Sequence, residues 1–134
     1  MKLCGILLIF ILLSCTYDPQ DKRLLVINHT NSEIAIYWNA DTIPEYPSIS
    51  DTEVYLADYS IKSSDSLWVP EDNANWPRYV ENSYNKKLNL FIYRVDSIKK
   101  YKNIDTINAR RIYKKMEYSA AELNKLTWRV VVKK

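Results

Sequence analysis

The chain has 134 residues, a formal charge of +3, one histidine, two cysteines and one glycine, Gly5. That length suits one domain, since two would each be too small to bury a useful core. Both cysteines fall within the first fifteen residues, so the body beyond them can hold neither a disulfide framework nor a thiolate metal site, and without glycine neither a glycine-rich phosphate loop nor a calcium loop of the D-x-D-x-D-G type is expected.

The first element is a leader. Lys2 precedes an apolar run from Leu3 to Leu13 that ends at Ser14-Cys15, the shape of a secretory signal. The run is too short to span a bilayer, which takes roughly 20 apolar residues. A buried core helix is the plain alternative, but the chain turns abruptly polar from Thr16 to Arg23, with Pro19 inside, as a tether does. Leu12-Leu13-Ser14-Cys15 resembles the bacterial lipobox, which implies removal of residues 1–14 as a signal peptide and lipidation of Cys15. Residues 15–22 are then the lipidated cysteine and its tether, and 23–134 the folded domain. Each buried methylene of an acyl chain contributes about 0.8 kcal/mol, and two or more chains make the anchor stable. The implied location is the bacterial cell envelope, most simply the outer membrane. Nucleic acid is excluded as a partner by export.

Beyond the tether, Leu24-Leu25-Val26-Ile27 reads as a buried strand. After the polar turn His29-Thr30-Asn31-Ser32, Ile34, Ile36 and Trp38 alternate with polar or small positions, which predicts an antiparallel hairpin with the first strand. Pro44 and Pro47 make 39–51 a loop. Thr52 to Ala57 alternates again and is predicted as a strand, with Ser66 to Val69 as another. Glu71 to Asn85 is acidic and asparagine-rich, an irregular excursion with Trp76 as its apolar anchor. Leu88 to Val95 carries Leu88, Leu90 and Ile92 on one face and Phe91, Tyr93 and Val95 on the other, so it belongs mid-sheet, covered on both sides. A helical turn is expected near Asn103 or Asp105, and a strand from Arg111 to Tyr118. Ser119-Ala120-Ala121-Glu122 matches a capping box and opens a short helix. Trp128, Val130 and Val132 form the last strand. With glycine absent, the positive-φ turn positions are expected to fall on Asn and Asp, which cluster at Asn28, Asn31, Asn39, Asp41, Asn73, Asn75, Asn82 and Asn85. The fold class is mostly β: a single two-sheet β-sandwich, immunoglobulin-like or similar, with a short helix before the last strand.

The leader, the early strand pair, the mid-chain tryptophan and the ending Arg111-Ile112-Tyr113-Lys114-Lys115-Met116-Glu117-Tyr118-Ser119, Glu122-Leu123, Leu126-Thr127-Trp128 together resemble the small uncharacterised lipoproteins common in Bacteroides and its relatives. Those usually end in a proline-containing tail, whereas this chain ends in Lys133-Lys134. The resemblance implies a lipid-anchored β-rich domain and lends no activity.

Chemistry is sparse. His29 sits in a turn with no cysteine beside it, short of the about four ligands a zinc or copper site needs. Carboxylates such as Asp51 with Glu53 read as solvated surface. No catalytic residue, metal or cofactor is expected. Charge is lopsided: Thr16 to Glu81 holds four basic and twelve acidic residues, and Asn82 to Lys134 fourteen basic and four acidic. Acidic and basic strands pairing across a sheet would explain this, as would a basic face that attracts anionic glycans or lipid head groups. Aromatics are the one enrichment. Strand phase assigns Trp38, Trp68, Tyr93 and Trp128 to the core, while Tyr46, Tyr55, Tyr59, Trp76, Tyr79 and Tyr84 fall in loops or on polar phases. They are a possible binding surface for sugars or peptides, with loop packing as the plainer account. The functional expectation is a membrane-anchored, non-enzymatic binding or assembly module of the envelope. The alternatives are a glycan-binding accessory lipoprotein that uses exposed aromatics, and a cell-envelope hydrolase.

Overall fold

Leu24 to Ile27 is apolar on both faces, and the computed structural model, which describes residues 20–45, 52–71 and 75–134, makes it the centre of a sheet. Strand β1 (Asp21–Asn28) lies between β4 (Ser66–Glu71), antiparallel to it, and β7 (Arg129–Val132), parallel to it. A second, wholly antiparallel sheet has the order β3-β2-β5-β6, formed by β2 (Ile34–Asn39), β3 (Ser60–Ile61), β5 (Leu88–Arg94) and β6 (Lys114–Tyr118). The two sheets share one core, in which Leu24 and Val26 of β1 and Val130 and Val132 of β7 meet Ile34 and Ile36 of β2 and Leu88, Leu90 and Ile92 of β5.

β1 and β2 do not form the expected hairpin; they belong to different sheets. The reason lies in the turn between them. Asn28, at the end of β1, is fully buried, and its side chain bonds the turn rather than letting the strands fold back as a ladder. β5 behaves as its sequence requires. Leu88, Leu90 and Ile92 face the inter-sheet core, while Phe91 and Tyr93 face a second apolar cluster on the outer side of the four-stranded sheet.

That outer cluster is covered by helices, so the fold is mixed α/β rather than mostly β. Helix α1 (Thr52–Tyr59) replaces the expected strand at 52–57. Leu56 and Tyr59, three apart, share a helical face and pack on the outer cluster. The short alternation there fits both periods, and tertiary cover decides. Helix α3 (Val95–Tyr101) was not expected, and α4 (Ile104–Ala109) starts at the predicted place, its N-cap Asn103 accepting from the amides of Asp105 and Thr106. Val95, Ile98, Ile104 and Ile107 are their buried contributions. Helix α2 (Trp76–Asn82) stands where an irregular excursion was predicted, opened by an Asn75 cap and Pro77. Helix α5 (Ala120–Lys125) precedes the last strand, with the Ser119–Glu122 capping box formed in both directions. Glu122's carboxyl is held below its ordinary value, chiefly by the Ser119 amide and hydroxyl.

Backbone at positive φ falls on Ser64, Lys86, Lys102, Arg111, Thr127 and Trp128, not on any of the expected asparagines and aspartates that are described. Those residues act as caps and bridges instead, because a carboxamide that closes several hydrogen bonds contributes more than relief of about 1–2 kcal/mol of left-handed strain. At Thr127 and Trp128 the strain is held by the Trp128 amide bonding the Leu123 carbonyl (2.8 Å), the indole bonding Asn124 Oδ1 (2.8 Å) and Arg23 stacked over the ring (5.4 Å).

Two packing details carry predictions. Trp76 is wholly buried and its indole donates to the Val69 carbonyl (3.0 Å). Trp76→Ala therefore costs roughly 3–5 kcal/mol, read as a lowered denaturant midpoint. Burial alone would raise Asp21's carboxyl, but hydrogen bonds from the Trp76 amide (2.9 Å) and from Arg23, together with Arg23's charge, outweigh it and hold the group below its ordinary 3.8. Its stabilisation is complete above the ordinary value and is lost as pH falls through the lowered one. The stability gap between wild type and Asp21→Asn should be full at neutral pH and shrink below about pH 4; a gap that does not change with pH counts against the ion as the stabilising form.

Candidate functional site

Of the six aromatics singled out from sequence, the four whose side chains are described are not gathered on one exposed face. Cys15 and Tyr46 lie outside the described residues, as does the side chain of Tyr55. Three of the others are brought together, but in the interior. Tyr59 meets Trp38 edge-on (ring centroids 5.2 Å), Trp38 meets Trp76 (6.0 Å) and Trp76 meets Tyr79 (5.4 Å). Burial, with the charge of Glu71 nearby, pushes Tyr79's phenol well above its ordinary value. Tyr84 stands apart, 85% exposed. Trp68, assigned to the core by phase, is 53% exposed on the outer face of the three-stranded sheet, opposite Leu25, which in turn lies opposite Arg129. The alternating pattern of β4 was right, but its phase was reversed: Val69 and Glu71 point inward. His29 is exposed and bonds through its backbone amide to Val132. No group of three or more His, Cys, Asp or Glu among the described residues is close enough to hold a metal ion.

The feature that does stand out is a cavity of about 670 Å³ at one end of the sandwich, where the sheets part. Its floor is apolar, formed by Ile34 of β2, Ile92 of β5 and Val132 of β7, the last residues of the inter-sheet core. Its rim is cationic: Arg94, Arg111, Lys114, Lys133 and Lys134 line it, and no Asp or Glu side chain does. A second cavity of about 350 Å³, walled by Ile43, Pro44 and Ala109, adjoins it and shares Arg111 and Tyr113.

Each wall has a local cause. Arg94 ends β5 and is paired, loosely and in solvent, with Asp96 (3.5 Å). Arg111 sits at φ 53°, fixed there by its amide bonding the Asn108 carbonyl and by the Ile112 amide bonding that of Ile107 (both 3.0 Å). Lys114 reaches across the mouth to the Lys133 carbonyl (2.9 Å), tying β6 to the end of β7. Tyr113 stacks edge-on against Phe91 (5.3 Å) and leans on Tyr93 (5.9 Å). The last wall is the turn at Thr30–Ser32, held by Asn28. The Asn28 amide nitrogen lies within hydrogen-bond distance of the carbonyls of Ser32 (2.8 Å), Ile61 (2.9 Å) and Lys62 (3.1 Å), and its Oδ1 accepts from the amide (2.9 Å) and hydroxyl (2.7 Å) of Thr30.

Arg111, Lys133 and Lys134 have no carboxylate within ion-pair distance among the described residues. Among the described residues, Arg23 pairs with Asp21, Arg94 with Asp96 and Lys115 with Glu117, each two positions apart. These pairs do not mix the acidic and basic halves of the chain across a sheet. The cationic rim draws wholly on the basic second half, and that charge bias was the signal in the sequence that pointed to it.

Chemically, the arrangement offers hydrogen-bond donors and positive charge above an apolar floor. Asn28→Ala should remove the turn's anchor and leave buried carbonyls unpaired, costing roughly 1–3 kcal/mol. Amide exchange at Thr30 and Ser32 should rise more than at β5, and equal rises at both would show general destabilisation instead.

No known protein family, no curated protein and no solved structure matches the chain.

Proposed function

We propose that the chain is a lipid-anchored, non-enzymatic binding module of the bacterial cell envelope, of the kind its leader and its resemblance to small Bacteroides-type lipoproteins suggest. The observation that carries the binding part is the cavity whose rim holds five Lys and Arg side chains and no Asp or Glu. A hydrolase of envelope polymers would want two carboxylates facing across such a cleft. Of the aromatics behind the glycan reading, Trp76 is buried, Tyr59 and Tyr79 pack against the core, and Tyr84 is exposed. The scaffold serves display in an immunoglobulin-like manner, with recognition gathered at one end of two sheets. Among the described residues no helix is long and apolar enough to cross a membrane, so in this reading the membrane is reached through acyl chains on Cys15.

Cys15→Ser should abolish incorporation of labelled palmitate and move the protein from the membrane to the soluble fraction. Membrane retention of the unlabelled variant would overturn the anchor.

A further inference from the structure

We propose that the cavity at the end of the sandwich takes an amphiphilic anion, a phosphate or carboxylate head carried on an apolar body. This rests on the cavity being the binding site and adds the class of ligand.

Three observations lead there. First, the lining is split in the way an amphiphile would match. Ile34, Ile92 and Val132 present hydrocarbon at the floor, while the cations surround the mouth. A simple inorganic anion would leave the apolar floor uncovered, and a neutral apolar ligand would leave Arg111 and Lys133 without a counter-charge. Burying hydrocarbon on such a floor contributes about 25 cal/mol per Å², and a charged head adds charge-assisted hydrogen bonds, the stronger kind. A volume of about 670 Å³ lies within the usual range for small-molecule sites, roughly 300–1,000 Å³.

Second, the apolar path continues. Beyond Arg111 and Tyr113 lies the smaller cavity at Ile43 and Pro44, where Ile43 is 60% exposed. Tyr113 and Arg111 line both cavities, so a ligand with its head among the cations has further apolar surface, at Ile43, Pro44 and Ala109, beyond the Tyr113 ring.

Third, Arg111 occupies a backbone position that glycine or asparagine would hold at less cost, since φ 53° is left-handed. A long cationic side chain there borders both cavities. The position supplies a clean test. Arg111→Gly deletes the guanidinium while relieving the left-handed strain, and a denaturant midpoint equal to wild type shows that loss of binding is not loss of fold.

The experiment uses the lipidated full chain in phosphatidylcholine nanodiscs, titrated calorimetrically with hexyl phosphate, hexanol and inorganic phosphate against empty discs. Hexyl phosphate should bind about tenfold more tightly than either partial probe. Arg111→Gly should weaken it by about tenfold, and Lys133→Gln, a surface change, should weaken it in the same direction. Equal binding of inorganic phosphate, or of hexanol, overturns the amphiphile while leaving the cavity as a binding site. Failure of every probe to bind removes the cavity reading itself. Undiminished hexyl phosphate binding by Arg111→Gly overturns the assignment of the head to this rim. Phosphatidic acid in the discs separates the sources: a raised apparent Kd for hexyl phosphate assigns the head to bilayer lipid, and an unchanged one assigns it to a soluble amphiphile. Both support the inference.

Discussion

Much of the molecule depends on one carboxamide. Asn28 is a polar side chain with no solvent exposure, placed where β1 leaves the three-stranded sheet, and an unpaired group there would be costly. It is paired many times over: with the Thr30–Ser32 turn on one side and with the carbonyls of Ile61 and Lys62, at the end of β3, on the other. Its backbone is also fully used, the amide bonding Asp65 and the carbonyl accepting from Ser64. One side chain therefore joins the two sheets at the end where the cavity opens. Hydrophobic burial holds the layers together, but it does not direct the chain from one layer to the other. Asn28 does.

The aromatic residues divide by layer. Trp38, Trp76, Tyr59 and Tyr79 form a run of edge-on contacts that closes the side of the inter-sheet core, while Phe91, Tyr93 and Tyr113 form the contact surface between the four-stranded sheet and its helices. Tyr59 belongs to both clusters. Burial raises the phenol of Tyr93, which donates to Asn108 Oδ1 (2.8 Å) and so keeps a polar partner inside an apolar layer. Such pairs contribute beyond area alone, about 0.5–1.5 kcal/mol each, and a chain without cysteines in its body has no covalent substitute for them.

Local patterns were legible in the sequence where one period clearly dominated. β5, with both faces apolar, was readable as a covered central strand, and Ser119–Glu122 as a capping box, because each signal is complete within a few residues. Helix α1 was not readable, since positions 54 and 56 fit the strand period while 56 and 59 fit the helical one, and only a sheet face to cover decides between them. Helix α2 carried start signals in Asn75 and Pro77, yet its polar composition masked the four-residue spacing of Trp76 and Val80. Pairing of β1 with β7 rather than β2 could not be read at all, because sequence separation says nothing about which layer a strand joins. The cavity shared that fate. Its lining comes from the β1–β2 turn, β5, the entry to β6 and the end of β7, and only the excess of positive charge late in the chain hinted that something gathers there.

The lack of glycine beyond Cys15 has a consequence for the unfolded chain. Glycine enlarges the set of conformations a denatured chain explores, and its absence shrinks that set at every turn. The folded state bears the corresponding penalty at Arg111, Thr127, Trp128 and the other left-handed positions. Conformational cost has thus been moved from the disordered ensemble into a few native sites, each tied by named hydrogen bonds. The rim of the cavity inherits that stiffness: the backbone beneath Arg111 is set by its own hydrogen bonds, and only the side chain is left free to move.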